Sequence, residues 1–464
     1  MHAPIEQIPE AGAPQMASQT TSGARLISLS YLLVRGATAA GAVAMGFVQT
    51  FVFARVLDPQ LFSIFILTAA VGYSLWVADL GLAKIAFVNL RAPHLDGRRD
   101  ERAASEAGAI ILFYILLSAA ASLACFGAVL LRAGATGQEA VDLALFLSFI
   151  GLNLAWSSLR TISLAVDLFV FFESLEFLRR AINIVALLAV LIGLPLTAFL
   201  IGTNLLWAVV FVAAIGKLAL RGALTLHFVR FPRELRAFFA TNWHAIWKSS
   251  AGALSELFVV TFPYYVVPAA FGLGAAPIIL DTAFKIFRGA CVVFAAVCDL
   301  AVPGQTRAYA AGDGRRLVAT TLLAVGLCAI LAFAVCGLLL AAGDQIYRFL
   351  LHTAATVPPA VTPIVVALLL AGVLQIVAEA LLQHTGYFKS LAVNGALVVA
   401  MLVVATIVTF VAKLSLIGFL TAYAAAYAIG ALGLTATAII GPIRTASLRA
   451  AQSAARSPRS IPGR

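Results

Sequence analysis

Twelve stretches of this chain are long and apolar enough to cross a bilayer, and they fix the fold class before any other feature is considered. A spanning helix needs about 20 mostly apolar residues, and only helices or closed barrels satisfy their backbone polar groups in hydrocarbon. The stretches run near 26–53, 61–87, 108–131, 142–170, 181–199, 203–227, 246–270, 276–303, 317–342, 359–383, 388–411 and 414–440. The expected fold is all-α, a polytopic membrane protein with about 12 transmembrane helices. Only 11% of the residues are charged, against about 25% in soluble domains. No polar stretch between the apolar runs reaches domain size.

The net charge of +11 does not indicate nucleic acid. The cations are spread over inter-helix loops rather than gathered on one face. Their ordinary role is to orient the chain and touch anionic lipid. Cys125, Cys291, Cys298, Cys328 and Cys336 lie inside apolar segments with no CxxC, so no redox or metal role is expected. There is no Walker motif, no HExxH and no His/Cys cluster. Neither a cofactor nor a metal is expected.

The loops carry an orientation signal. Cations cluster after span 2 (Arg91, Arg98, Arg99, Arg102), span 4 (Arg179, Arg180), span 6 (Arg230, Arg233, Arg236) and span 8 (Arg307, Arg315, Arg316), and again in the C-terminal tail. Loops after odd spans offer only isolated cations such as Arg55 and Arg348. The positive-inside rule then makes both termini cytoplasmic. The longest connection falls at the midpoint and divides the chain into two six-helix halves. The domain reading is a disordered cytoplasmic tail at 1–24, an N-terminal lobe at 25–230, a cytoplasmic connection at 231–245, a C-terminal lobe at 246–444 and a basic tail at 445–464. An even number of helices per half relates the halves by an axis along the membrane normal. Val77-Ala-Asp79-Leu80 in span 2 recurs as Val297-Cys-Asp299-Leu300 in span 8.

Charges inside the spans carry the chemistry. A cation at bilayer depth costs about 2.5–3.5 kcal/mol on insertion scales. In span 8, Asp281, Lys285, Arg288, Val292, Ala295 and Asp299 recur every three or four residues and share one face. One reading is an internal Asp281–Lys285 pair with Arg288 reaching a backbone carbonyl. The other is a polar stripe lining a cavity, with the cations meeting an anion. Span 1 shows Ser28, Tyr31, Arg35 and Thr38, and Arg35 has the planar fork that suits phosphate oxygens. Arg160 in span 4 is either a lining residue or an anchor paired with Asp167. Glu256 in span 7 is either a partner of Arg35 or Lys285 or a coupling-ion site. Asp79, Asp299 and Glu379 are further gate or coupling candidates.

The run FVFARVLDPQLFSIFILTAAVGYSLWVADLGLAKIAF resembles the opening of the polysaccharide (Wzx-type) flippases of the multidrug/oligosaccharidyl-lipid/polysaccharide exporter superfamily. The matching positions are Arg55, Leu57, Pro59, Phe62, Asp79, Leu80 and Gly81. Asp58 and Ser63 stand where that family usually has Gly. LLLAGVLQIVAEALLQHTGYFKS resembles the family's tenth helix and following loop, with Gly386 and Lys389 as the match. The resemblance implies two six-helix lobes around a central cavity open alternately to each side. It also implies a cargo of oligosaccharide on undecaprenyl diphosphate, carried across the inner membrane for surface polysaccharide biosynthesis. Arg35, Lys285, Arg288 and Arg160 are then the expected cargo ligands. The expected partners are this polyprenyl-diphosphate-linked glycan, the phospholipid bilayer and a polysaccharide polymerase, and the chain is expected to be a monomer. Two other readings compete: a multidrug or metabolite antiporter of the same superfamily, whose cavity should be rich in carboxylates, and a membrane enzyme of glycan assembly. The absence of a long loop with catalytic residues weighs against the enzyme.

Overall fold

The computed structural model describes residues 21–446 except 76–78, 80 and 132–135, and the side chains of 21–33, 35, 92, 95, 244, 245 and 247–256 lie outside that description. The expected tails fall largely outside it too. Every described element is helical: α1 (Thr21–Val56), α2 (Pro59–Ser74), α3 (Leu82–Leu95), α4 (Glu101–Leu130), α5 (Gly137–Ala165), α6 (Phe169–Ala189), α7 (Leu196–Leu220), α8 (Phe231–Thr261), α9 (Pro263–Phe271), α10 (Ala275–Ala310), α11 (Gly314–Leu351), α12 (Val361–His384), α13 (Phe388–Val411) and α14 (Leu416–Ala438). They make about twelve passes, because α2 with α3 and α8 with α9 each form one broken span. Both ends of the described chain therefore lie on one side, termed here the terminal side.

Helix pairs recur at an offset of six passes. α1 packs on α6 as α8 packs on α13, and α2 on α5 as α10 on α12. α5 packs on α7 as α12 on α14. Between the halves, α1 meets α11 as α8 meets α4, and α1 meets α10 as α8 meets α2. This is the pattern of a parallel repeat about an axis along the membrane normal.

The ends of the spans are set by local chemistry. Asp58, one of the two departures from the flippase motif, accepts from Gln60 N at 2.9 Å and Leu61 N at 3.0 Å and so caps α2, with Pro59 in the first turn. Span 2, expected as continuous over 61–87, breaks where Gly81 takes φ 77°, a left-handed value that favours glycine. Asp79 restarts the chain as α3: its Oδ1 accepts from Ala83 N at 3.3 Å and from the Tyr114 hydroxyl at 2.7 Å. Span 7 breaks at Pro263. A proline has no N–H for the Val259 carbonyl one turn back, and the Tyr423 hydroxyl of α14 donates to that carbonyl at 2.9 Å. Tyr423→Phe should therefore strand a partly buried acceptor and cost about 1 kcal/mol, read as a lower unfolding midpoint in detergent. An unchanged midpoint would mean that another donor serves Val259.

Three sequence expectations are corrected. Residues 231–245, expected as the inter-lobe connection, form the first half of α8. Pro232 starts the helix, and Phe238 and Phe239 turn inward, with Phe239 meeting Phe113 of α4 edge-on at 6.5 Å. The non-helical link is 221–230. Spans 4 and 5 lie earlier in the chain than expected: α5 ends at Ala165, and α6 begins at Phe169 rather than near 181. Arg179 and Arg180 consequently lie inside a spanning helix, not in a loop, and do not belong to the orientation signal.

Four cross-half contacts close the side opposite the termini or lie beneath that closure. Arg55 donates to Phe349 O at 2.7 Å and to Leu350 O at 3.3 Å, in the last turn of α11. A cation suits that negative helix end. Ser63, the second motif departure, donates to Gly274 O and accepts from Gly274 N, both at 2.8 Å. Ser74 meets the Tyr265 hydroxyl at 2.7 Å. Thr50 meets Lys285, described next.

Candidate functional site

α10 starts on the far side, at Ala275, so helical rise puts Lys285 about 15 Å and Arg288 about 20 Å into the span. Asp281, Lys285 and Arg288 share one face of α10, as their spacing predicts. Lys285 Nζ lies 2.6 Å from Asp281 Oδ2, and Arg288 Nη2 lies 3.9 Å from Asp281 Oδ1. α9 contributes Tyr264, whose hydroxyl donates to Asp281 Oδ1 at 3.1 Å and accepts from Arg288 Nη2 at 2.6 Å. Arg288 Nε also reaches Phe284 O at 3.4 Å. The internal pair and the carbonyl contact anticipated from sequence are thus both present.

The N-terminal half completes the cluster. Lys285 Nζ donates to Thr50 Oγ1 of α1 at 2.8 Å. The Arg288 guanidinium stands 5.6 Å from the ring of Tyr73 on α2 and 5.3 Å from that of Tyr264. Behind it lies an aromatic wall in which Phe284 packs on Tyr264 and Tyr423, and Phe287 on Tyr427. Asp281 is almost closed off, at 6% side-chain exposure, while Lys285 and Arg288 keep 18% and 25%. An ammonium has three N–H donors and a guanidinium five. Among the described residues, one donor on Lys285 and three on Arg288 have no protein partner. With one carboxylate facing two cations, the cluster carries a net positive charge among the described residues.

A second ionic cluster, on α6, was not anticipated. Glu173, Glu176, Arg179 and Asn183 are buried and recur at helical spacing. Glu176 takes two bonds from Arg179, at 2.8 and 3.0 Å, and a further contact from Arg180. The Arg179 guanidinium lies 3.8 Å above the Trp207 ring. Arg160 pairs with Glu173, not with Asp167 as one reading had it. Asp167 is held instead by Arg91 at 2.8 Å and His94 at 3.2 Å, on the terminal side. Burial pushes its carboxyl up, but those two partners outweigh that and leave it below the usual carboxylate range. The α6 cluster went unseen because its four charges dilute the apolarity of the span. The signal that was present is the run Phe169 to Phe172 followed by Glu173, Glu176, Arg180 and Asn183 on one face.

Asp79 caps α3. Glu379 accepts from Gln383 one turn on, at 2.9 Å. Asp299 lies roughly 16 Å further along α10 than Arg288. Arg35 sits in α1 one turn before Thr38, and Glu256 in α8. The side chains of both lie outside the described residues.

The fold is shared with known transporters. A MOP-superfamily transporter from Pyrococcus furiosus, whose binding pocket is described as of reverse polarity, is 14% identical, with a TM-score of 0.60 over 93% of this chain and 100% of its own. A multidrug resistance MATE family transporter of the MOP superfamily, in an inward-facing conformation, is 14% identical, with a TM-score of 0.60 over 92% and 99%. The lipid II flippase MurJ, in an inward closed conformation, is 16% identical, with a TM-score of 0.59 over 92% and 91%. No protein-family model and no curated protein matches the chain. At such identities the likeness fixes the fold: this is a multi-pass membrane protein built as the MOP-superfamily transporters are.

Proposed function

We propose that the chain is a flippase that carries a polyprenyl-diphosphate-linked oligosaccharide across the inner membrane for surface polysaccharide assembly. The observation that carries this reading is the pair of cations, Lys285 and Arg288, that share the single carboxylate of Asp281 deep in a span, where Lys285 also meets Thr50 of the other half. A diphosphate presents several anionic oxygens that such cations bind strongly. The glycan would pass between the halves while the polyprenyl chain stays in lipid. Arg35 is the proposed third ligand, and a polymerase the proposed acceptor of the product.

The Arg-rich helix ends at Arg98–Arg102, Arg230–Arg236 and Arg307–Arg316 all lie on the terminal side, which the proposal makes cytoplasmic. The closure by Arg55 and Ser63 then faces the periplasm, and the cluster is loaded from the cytoplasm. Antiport of a cationic drug fits less well, because Glu173, Glu176 and Asp281 are each covered by a cation.

The test is translocation in proteoliposomes. A fluorescent oligosaccharide on a polyprenyl diphosphate should cross only when the protein is present, and a cationic dye should not. Transport of the dye without the lipid-linked glycan would reverse the assignment.

A further inference from the structure

The Lys285 ammonium does two jobs: with one N–H on Asp281 and one on Thr50 it has a single donor left, so a diphosphate that takes more than that one competes for the Thr50 bond. It is one of the two cations offered to an anion, and it is also a tether between the halves. Its bond to Thr50 Oγ1, at 2.8 Å, crosses from α10 to α1. Thr50 is itself buried, and its hydroxyl proton is committed to Gly46 O at 3.2 Å. Thr50 therefore serves Lys285 only as an acceptor, a neutral oxygen in the place a phosphate oxygen would take. Asp281 acts alongside it as a resident carboxylate on the same ammonium.

We infer that Thr50 is a surrogate ligand: cargo diphosphate displaces it from Lys285, and loss of that bond loosens α1 from α10 beneath the far-side closure. The inference rests on the diphosphate reading of the site. An anionic oxygen is a stronger acceptor for an ammonium than a neutral hydroxyl, so the exchange favours cargo. The tether has no such competitor when the site is empty. Occupancy is then reported directly to the inter-half contact, without a relay through distant elements. A ligand shifts an equilibrium only by its differential affinity for the two states, and competition for one ammonium supplies that difference. Tyr73 stands on the same side as Thr50, against Arg288. The N-terminal half thus contributes Thr50 and Tyr73 as the movable wall of the site, opposite the cations of α10.

The experiment measures binding of farnesyl diphosphate to the purified full chain in nanodiscs, with farnesol and inorganic diphosphate as controls. Thr50→Val keeps the β-branched shape and removes the acceptor. Because the parent must give up one hydrogen bond on binding, this variant should bind about three- to ten-fold more tightly than the parent. Spin labels at Val56→Cys and Leu273→Cys, in a cysteine-free background, should show a longer-distance population when the parent binds farnesyl diphosphate. Thr50→Val should show part of that population without ligand. Unchanged or weaker binding by Thr50→Val, in a parent that does bind, would overturn the tether and leave the diphosphate site standing. A parent that does not bind farnesyl diphosphate would overturn both, and binding of inorganic diphosphate with equal affinity would remove the lipid-linked cargo while keeping the exchange.

Discussion

Glu176→Ala should destabilise the protein by about 3–5 kcal/mol, the cost of breaking a buried ion pair from one side. Arg179 has 4% side-chain exposure and lies about 15 Å into α6. Without Glu176 it keeps, among the described residues, only the face of Trp207, and Arg180 also loses its carboxylate. The loss should appear as poor accumulation in the membrane and a large drop in the unfolding midpoint. Glu176→Leu combined with Arg179→Met should recover much of it, because removing both charges removes the desolvation problem as well. The pair Arg102–Glu106, whose arginine is 72% exposed, is the contrast: Arg102→Ala should change stability by at most about 1 kcal/mol. A mild effect of Glu176→Ala would mean that water reaches the cluster.

The largest effect on cargo should come from α10. Each charge-assisted bond is worth about 1.5–3 kcal/mol, so Arg288→Ala should weaken binding of a polyprenyl diphosphate at least ten-fold. Arg288→Ala leaves Tyr264 and Lys285 on Asp281, and the fold should survive. Lys285→Ala is harsher, since it strips a nearly closed carboxylate of its close cation. Lys285→Ala with Asp281→Asn separates the two effects: the pair should fold and still fail to bind. Lys285→Arg keeps the charge and should be milder. Wild-type affinity in Arg288→Ala would remove it from the site.

The regular parts of this molecule were legible because apolar length and three-four spacing are local properties. The face shared by Asp281, Lys285 and Arg288 was read from spacing alone, as was the chemistry of their pair. What spacing could not supply is the partner across the halves. Nothing near Lys285 in sequence points to Thr50, which is 235 residues away. Ser63 and Gly274 are likewise remote, and there a departure from the flippase motif joins the halves. The α6 cluster escapes the apolar pattern for another reason. Hydropathy treats Glu173, Glu176, Arg179 and Arg180 as polar, whereas in the fold they neutralise one another and the helix can be buried. The breaks in spans 2 and 7 depended on single residues, Gly81 and Pro263, inside runs whose apolarity continued past them.

The central claim is that Lys285 and Arg288 receive a diphosphate. The most direct measurement is a structure of the protein with a polyprenyl-diphosphate-linked sugar bound. The account predicts phosphate oxygens about 2.7–2.9 Å from Lys285 Nζ and the Arg288 guanidinium, with Thr50 released. A diphosphate bound elsewhere, with Lys285 still on Asp281 and Thr50, would contradict it.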